Sequence, residues 1–312
     1  MRFGFALPQI GSLVGPEALV MVAKRAEDLG FDSLWVLDRI LWPVHPRAPY
    51  PIGDGSLPDQ YKNVLDPVET LTFAAAQTSR IALATGVLNL PWYNPVLLAR
   101  RLTTLDILSR GRLRVGFGIG WSPDEYEAAG ATWQDRGKRA DESIEVLKKI
   151  WTSDPVEFQG KHYRVAKSFI GPKPVQKPHP PIYMAAFTPS AMKRVAVEAN
   201  AWLPVGIPLG GVGAMFDGIR NMAKEAGRDP SALELIVTAG VEIHTKPIEK
   251  ERTEFTGTIE QIGEDFATAR KLGAAEIAIY AQFLSPKETA EDLVARMEEL
   301  WRIAKQIDSR RI

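Results

Sequence analysis

Short apolar runs rich in Val, Ile, Leu and Phe alternate along the chain with longer stretches in which apolar residues recur every three or four positions. That is the pattern of parallel strands covered by helices. Strand-like runs lie at 2–8, 33–37, 81–88, 113–119, 182–186, 201–205, 233–241 and 276–280. The spacing predicts a helix after each, over 16–29, 67–78, 95–108, 136–151, 189–199, 212–226, 259–272 and 287–307. The first helix shows the logic: Pro16 suits an opening turn, Leu19, Val22, Ala26 and Leu29 make one apolar face, and Gly30 supplies the stop. Eight such units satisfy either a closed barrel or a large doubly wound sheet, and the count favours an α/β chain folded as a single (β/α)8 TIM barrel, one domain over 1–312.

Four segments interrupt the alternation: 41–65 after strand 2, 121–135 after strand 4, 153–181 before strand 5 and 242–258 after strand 7. Three of them follow a strand directly, on the face where barrel active sites form. Segment 41–65 holds five prolines with Trp42, Tyr50 and Tyr61, so it reads as a semi-rigid cover over that face. Within 153–181, residues 156–165 alternate about Gln159-Gly160 and predict a small hairpin outside the barrel.

Composition narrows the chemistry. Lys plus Arg and Asp plus Glu are equal at 38 each, so no long-range field recruits phosphate backbones or anionic lipid, and neither nucleic acid nor a membrane is an expected partner. The N-terminus runs straight into strand-like sequence with no apolar leader, and the expected location is the cytoplasm. With no cysteine there are no disulfides, thiolate nucleophiles or cysteine-ligated metal centres.

Polar groups at the C-terminal ends of the strands are Gln9, Asp38, Arg39, Asn89, Trp121, Thr188, Glu242, His244 and Gln282. They lack metal-ligand spacing, and neither a Walker motif nor a nucleophile elbow occurs, so no metal site is expected and a cofactor must supply the hard chemistry. Asp38 is either a cap or a ring-facing carboxylate; its place at a strand end favours function. His244 and His179 read as a rim residue and a loop residue. The run Gly116-Phe-Gly-Ile-Gly-Trp121 differs from a dinucleotide loop, because its third glycine comes one position early and no helix opens there. Its glycines either relieve crowding at the rim or let backbone approach a flat ring. In Phe187-Thr188-Pro189-Ser190, Thr188 suits an N-cap and Pro189 the first helical position, with Lys193 and Arg194 one turn on; an ordinary helix start and a phosphate site are both open readings.

Taken together, the segments 34–38 (Leu-Trp-Val-Leu-Asp), 84–88 (Ala-Thr-Gly-Val-Leu), 94–100, 105–113, 116–121 and 173–182 resemble the luciferase-like monooxygenases over nearly the whole chain, and among them the branch of probable F420-dependent oxidoreductases of actinobacteria. The resemblance implies a deazaflavin or flavin ring over the barrel mouth, with coenzyme F420 the expected cofactor and FMN the alternative. The ring would lie against a bulge at Thr85, Gly86 and Val87, with a non-prolyl cis peptide at Gly86–Val87, and beside Gly118, Gly120 and Trp121. The phosphate would fall at Phe187, Thr188, Pro189 and Ser190, where many relatives carry a glycine pair in place of Phe187-Thr188. A second departure is Asp38-Arg39, where many deazaflavin-using relatives have Asp-His; arginine as a residue type does not titrate near neutrality as histidine does. Arg39 would stabilise negative charge or hold an anionic substrate, or would point outward.

Asp38 and Arg39 are therefore the expected catalytic pair, and Gln9, Trp42 and Tyr50 the substrate pocket. The expected reaction is hydride transfer between the deazaflavin and a small organic molecule. The alternatives are an FMN-dependent monooxygenase using reduced flavin and oxygen, a non-catalytic flavin or deazaflavin carrier and, more distantly, a metal-dependent barrel hydrolase or aldolase. A homodimer is also an expectation.

Overall fold

The computed structural model describes residues 1–283, 285 and 287–309. Parallel strands β1 (Arg2–Ala6), β2 (Ser33–Val36), β3 (Ala82–Thr85), β4 (Leu113–Gly118), β5 (Ile182–Met184), β6 (Ala201–Trp202), β7 (Glu234–Gly240) and β8 (Glu276–Tyr280) each pair with the next in chain order. β8 then pairs with β1, with Arg2 opposite Glu276, and the sheet closes without an edge. The doubly wound alternative is excluded by that closure.

Helices α1 (Pro16–Leu29), α2 (Pro67–Gln77), α3 (Pro95–Leu108), α4 (Arg136–Thr152), α5 (Pro189–Glu198), α6 (Leu209–Glu225), α7 (Ile259–Lys271) and α8 (Ala290–Ser309) alternate with the strands. Their starts are written locally: Asp66, Asn94 and Thr188 accept backbone N–H groups in the first turns of α2, α3 and α5, and Thr258 with Gln261 forms a capping box on α7. Gly30, at φ 96°, closes α1 by donating to the carbonyls of Ala26 and Glu27.

Strand alternation divides the core in two. Phe3, Phe5, Leu34, Val36, Val115 and Phe117 pack outward under the helices, while Ala6, Trp35, Ala84, Tyr183, Ile236 and Tyr280 fill the barrel. The N-terminal end of the barrel is closed by charge. Glu276 is fully buried and paired to Arg2 (3.1 Å) and Arg114 (2.7 Å), accepts from Trp35 Nε1 at 3.1 Å and from Ser33 Oγ, and Arg2 also bridges to Glu234 at 2.6 Å. Access to the barrel is thereby left to the C-terminal mouth.

Four departures from the sequence pattern have physical causes. The expected strand at 81–88 is split, because the Thr85 hydroxyl replaces backbone in the ladder to β4: it donates to Gly116 O (3.0 Å) and accepts from Gly116 N (2.8 Å). The chain re-pairs only at Leu88–Asn89. The run at 201–205 is strand only to Trp202, since Pro204 has no N–H to continue the ladder. α6 begins at Leu209, ahead of the expected 212, because the Glu254 carboxylate accepts Leu209 N at 2.9 Å from an insertion 45 residues away. The last helix begins at Ala290 and not at the expected 287, because Thr289 Oγ1 accepts Asp292 N at its start, and it runs to Ser309, past the expected end at 307. The insertions also carry structure: a short helix Pro123–Ala128, the hairpin Val156–Gln159 with Arg164–Ser168, and two paired short strands, Glu242–Ile243 and Thr256–Gly257. Cis peptides occur at Gly86–Val87, Asp154–Pro155, Gly171–Pro172 and Lys177–Pro178, the first where the resemblance placed one.

Candidate active site

β2 delivers Asp38 to the mouth. The side chain is buried, and its Oδ2 accepts both Asn89 N and Tyr93 Oη at 3.0 Å. Burial raises its pKa to about 7, against the pull of those two hydrogen bonds and with help from the nearby Asp66 and Glu125 charges. The phenol of Tyr93 is driven upward in turn, by burial and by its acidic neighbour.

Arg39 points inward. Its side chain is 7% exposed and its guanidinium carbon lies over the rings of Trp121 (5.0 Å to the centroid) and Tyr61 (5.3 Å). Nη1 is 3.1 Å from Glu125 Oε2, an ion pair without hydrogen-bond alignment, while Nε and Nη2 are buried with no hydrogen-bond partner. Glu125 is fully buried on the short helix Pro123–Ala128, where Oε1 accepts Ile40 N at 2.9 Å. Burial lifts its pKa, partly offset by Arg39.

The glycine-rich end of β4 and the break in β3 fit against each other. A Cβ on Gly116 would lie 1.9 Å from Thr85 O, and one on Gly118 would lie 2.6 Å from Val87 Cγ2. Of the two readings of these glycines, crowding at the rim is therefore seen directly. Gly120 sits at φ 68° and aims Trp121 towards Arg39 and Tyr50. Thr85 is fully buried with its hydroxyl committed to Gly116, leaving Gly86 and Val87 partly exposed at the mouth.

At the end of β5, residues 187–190 are exposed. Thr188 Oγ1 accepts Ala191 N and lies 3.2 Å from Ser190 Oγ, so two hydroxyls stand at a helix start whose first N–H groups have no carbonyl one turn earlier. Arg194 is spent on Asp141 (2.5 Å) and on Gly137 O, tying α5 to α4. Of the two basic residues beyond the cap, Lys193 is the exposed one.

Segment 41–65 covers the mouth. Tyr50 Oη meets Tyr61 Oη at 3.1 Å and its ring stands edge-on to Trp121. Trp42 lies under Lys62 with a buried Nε1 that has no hydrogen-bond partner. Gln9 is fully buried: its amide donates to Leu37 O (3.0 Å) and Leu65 O (2.8 Å), and its Oε1 accepts Leu37 N. All three bonds are to backbone at the two stems of the segment, so Gln9 clamps the cover. The structure thus gathers Asp38, Arg39, Trp121, Tyr50 and Gln9 into one region. Glu125, Tyr61 and Tyr93 also belong to it, without a site signal of their own in the sequence: Ser122-Pro123-Asp124-Glu125 does announce a helix start, but nothing local tells that Glu125 will be buried against an arginine 86 residues earlier.

A closed parallel barrel with a protonatable acid, a buried guanidinium and aromatic walls at its C-terminal mouth is the architecture of a barrel enzyme. The model of the luciferase-like monooxygenases matches residues 1–302, and the chain belongs to that family of oxidoreductases. It is 37% identical over 206 residues to an uncharacterized protein of Mycobacterium tuberculosis, covering 65% of this chain and 72% of that one. It is 33% identical over 183 residues to the F420-dependent glucose-6-phosphate dehydrogenase of Amycolatopsis mediterranei (57% of this chain, 50% of that one). It is also 33% identical over 155 residues to the FMNH(2)-dependent dimethylsulfone monooxygenase of Pseudomonas putida (49% and 42%). The crystal structure of monooxygenase RslO1 from Streptomyces bottropensis superposes with a TM-score of 0.82 over 99% of this chain and 100% of that one, at 23% identity, which shows the fold alone.

Proposed function

We propose that the protein transfers hydride between an F420-type deazaflavin and a small organic substrate under the cover formed by 41–65. The mouth suits a flat ring: Gly86, Val87, Ala185 and Gly240 are small and at least partly exposed, and a Cβ on Gly240 would meet nothing within 4 Å. A bound deazaflavin supplies the carbon centre that takes or gives the hydride. The hydroxyls of Thr188 and Ser190, with the N-terminal end of α5, would hold its phosphate.

The observation that carries the reading is Asp38. When a substrate gives up a hydride, the proton leaving with it needs an acceptor, and a buried carboxyl with a pKa of about 7 can accept or return one near neutrality. It does the work that the histidine of many relatives would do, while Arg39 supplies fixed positive charge. The cover excludes water from the transfer.

The test is fluorescence titration of the purified protein with oxidised F420 and with FMN under identical conditions. Preference for F420 supports this reading. Preference for FMN moves the protein to the monooxygenases that use reduced flavin, and binding of neither removes the site from the mouth. Binding of F420 without turnover across a panel of alcohols and aldehydes would make it a carrier.

A further inference from the structure

We propose that the buried edge of Arg39 is the receptor for a carboxylate or similar planar oxyanion on the substrate, so that the molecule transformed at this mouth is an organic anion. The inference rests on the mouth being the active site, as proposed above, and names the class of substrate that site takes.

The argument starts from geometry. In a guanidinium, Nε–H and Nη2–H point the same way and form the fork that grips two oxygens of a carboxylate at once. In Arg39 this pair is what is left over: Nη1 faces Glu125, and Nε and Nη2 are buried without a partner. A buried donor with no acceptor is costly and uncommon in a folded protein. Among the described residues, Arg136, Arg139 and Arg220 each leave only Nε in that condition; the complete open fork belongs to Arg39.

The surroundings favour a planar anion. The guanidinium carbon lies over the rings of both Trp121 and Tyr61, and Tyr50 is bonded to Tyr61 and packs on Trp121. Glu125 is anchored by Ile40 N, so it is held on the Nη1 side and does not occupy the fork. Gln282, at the end of β8, is also buried with both amide atoms unpartnered, and the ring of the next residue, Phe283, lies edge-on to Tyr61 at 5.8 Å. A second polar group of the substrate would satisfy that amide. The anion could be supplied by the substrate or by a negatively charged part of the cofactor, and the two are separable.

The test uses calorimetric titration of the full-length, cofactor-free protein with acetate, hexanoate and benzoate, and with acetamide, hexanamide and benzamide, at constant ionic strength. At least one acid is expected to bind about tenfold or more tightly than its own amide, with that preference lost in Arg39→Lys, which keeps the charge and removes the fork. Equal affinity for every acid and its amide in the wild-type protein, or no binding in either series, overturns the proposal without requiring any variant to fold. An acid preference undiminished in Arg39→Lys overturns it too. F420 and FMN titrations on the same two proteins separate the sources: if Arg39→Lys weakens the cofactor as much as the acid, the fork serves the cofactor and the substrate inference fails. Failure of both cofactors to bind the wild-type protein would instead sink the hydride-transfer reading and leave the acid-against-amide comparison standing.

Discussion

At the scale of single residues, Asp38 links activity to stability. Its carboxyl ionises near 3.8 in an unfolded chain and near 7 when folded, so between those values the unfolded state gives up its proton first and stability falls as pH rises. A shift of that size corresponds to about 4 kcal/mol, present in full below the lower value and lost by the upper one. Asp38→Asn keeps an oxygen for Asn89 N and Tyr93 Oη but does not titrate. Urea unfolding should therefore show the variant gaining on the wild type by up to about 4 kcal/mol between pH 4 and pH 8; a constant gap would mean that the carboxyl is not held protonated. In kinetics, kcat/KM for substrate oxidation should rise with pH to a plateau above about 7, and for reduction should fall through the same region, with Asp38→Asn slower by about 100-fold or more in both directions. A flat profile would remove Asp38 from the proton transfer.

At the scale of elements, the junction of β3 with β4 is the tightest part of the mouth, and it is tight for reasons that differ from one glycine to the next. A methyl on Gly86 would meet the Tyr280 hydroxyl at 2.3 Å, the end of a side chain, whereas a methyl on Gly116 would meet the Thr85 carbonyl at 1.9 Å, which is backbone. Gly86→Ala should cost about 1–3 kcal/mol and recover part of that in a Tyr280→Phe background. Gly116→Ala should cost more than Gly86→Ala and gain nothing from Tyr280→Phe. Thermal unfolding of the wild type, the three single variants and the two double variants checks both statements. Gly86→Val should also weaken cofactor binding more than Arg39→Ala, read by the same fluorescence titration. These contacts mark where sequence reading stops. Local grammar places α1 between Pro16 and Gly30, and α2, α3, α5 and α7 at their caps, because capping is written within a few residues. The split of β3 at Thr85, the start of α6 under Glu254 and the burial of Glu125 beside Arg39 depend on partners 31, 45 and 86 residues away, so no pattern in the neighbouring sequence carries them. Asp38 and Arg39 were legible by position; the protonation of one and the open fork of the other were not.

At the scale of the whole molecule, the barrel has two unlike ends. Glu276 at one end and Gln282 at the other are six residues apart, about 20 Å of strand. Glu276→Gln removes the charge that Arg2 and Arg114 share and should destabilise by about 3–5 kcal/mol while leaving cofactor affinity unchanged. Denaturation and cofactor titration of one preparation test this, and a large loss of affinity would show that the floor and the mouth are coupled. The cover behaves differently from the floor, because both its stems meet on the single amide of Gln9, which belongs to the strand-one side of the barrel. Residues 38–64 are thus a cartridge held between fixed posts. Descendants of this chain can exchange its tip, and with it the molecules they accept, while the sockets that seat it and the eight strands beneath stay as they are.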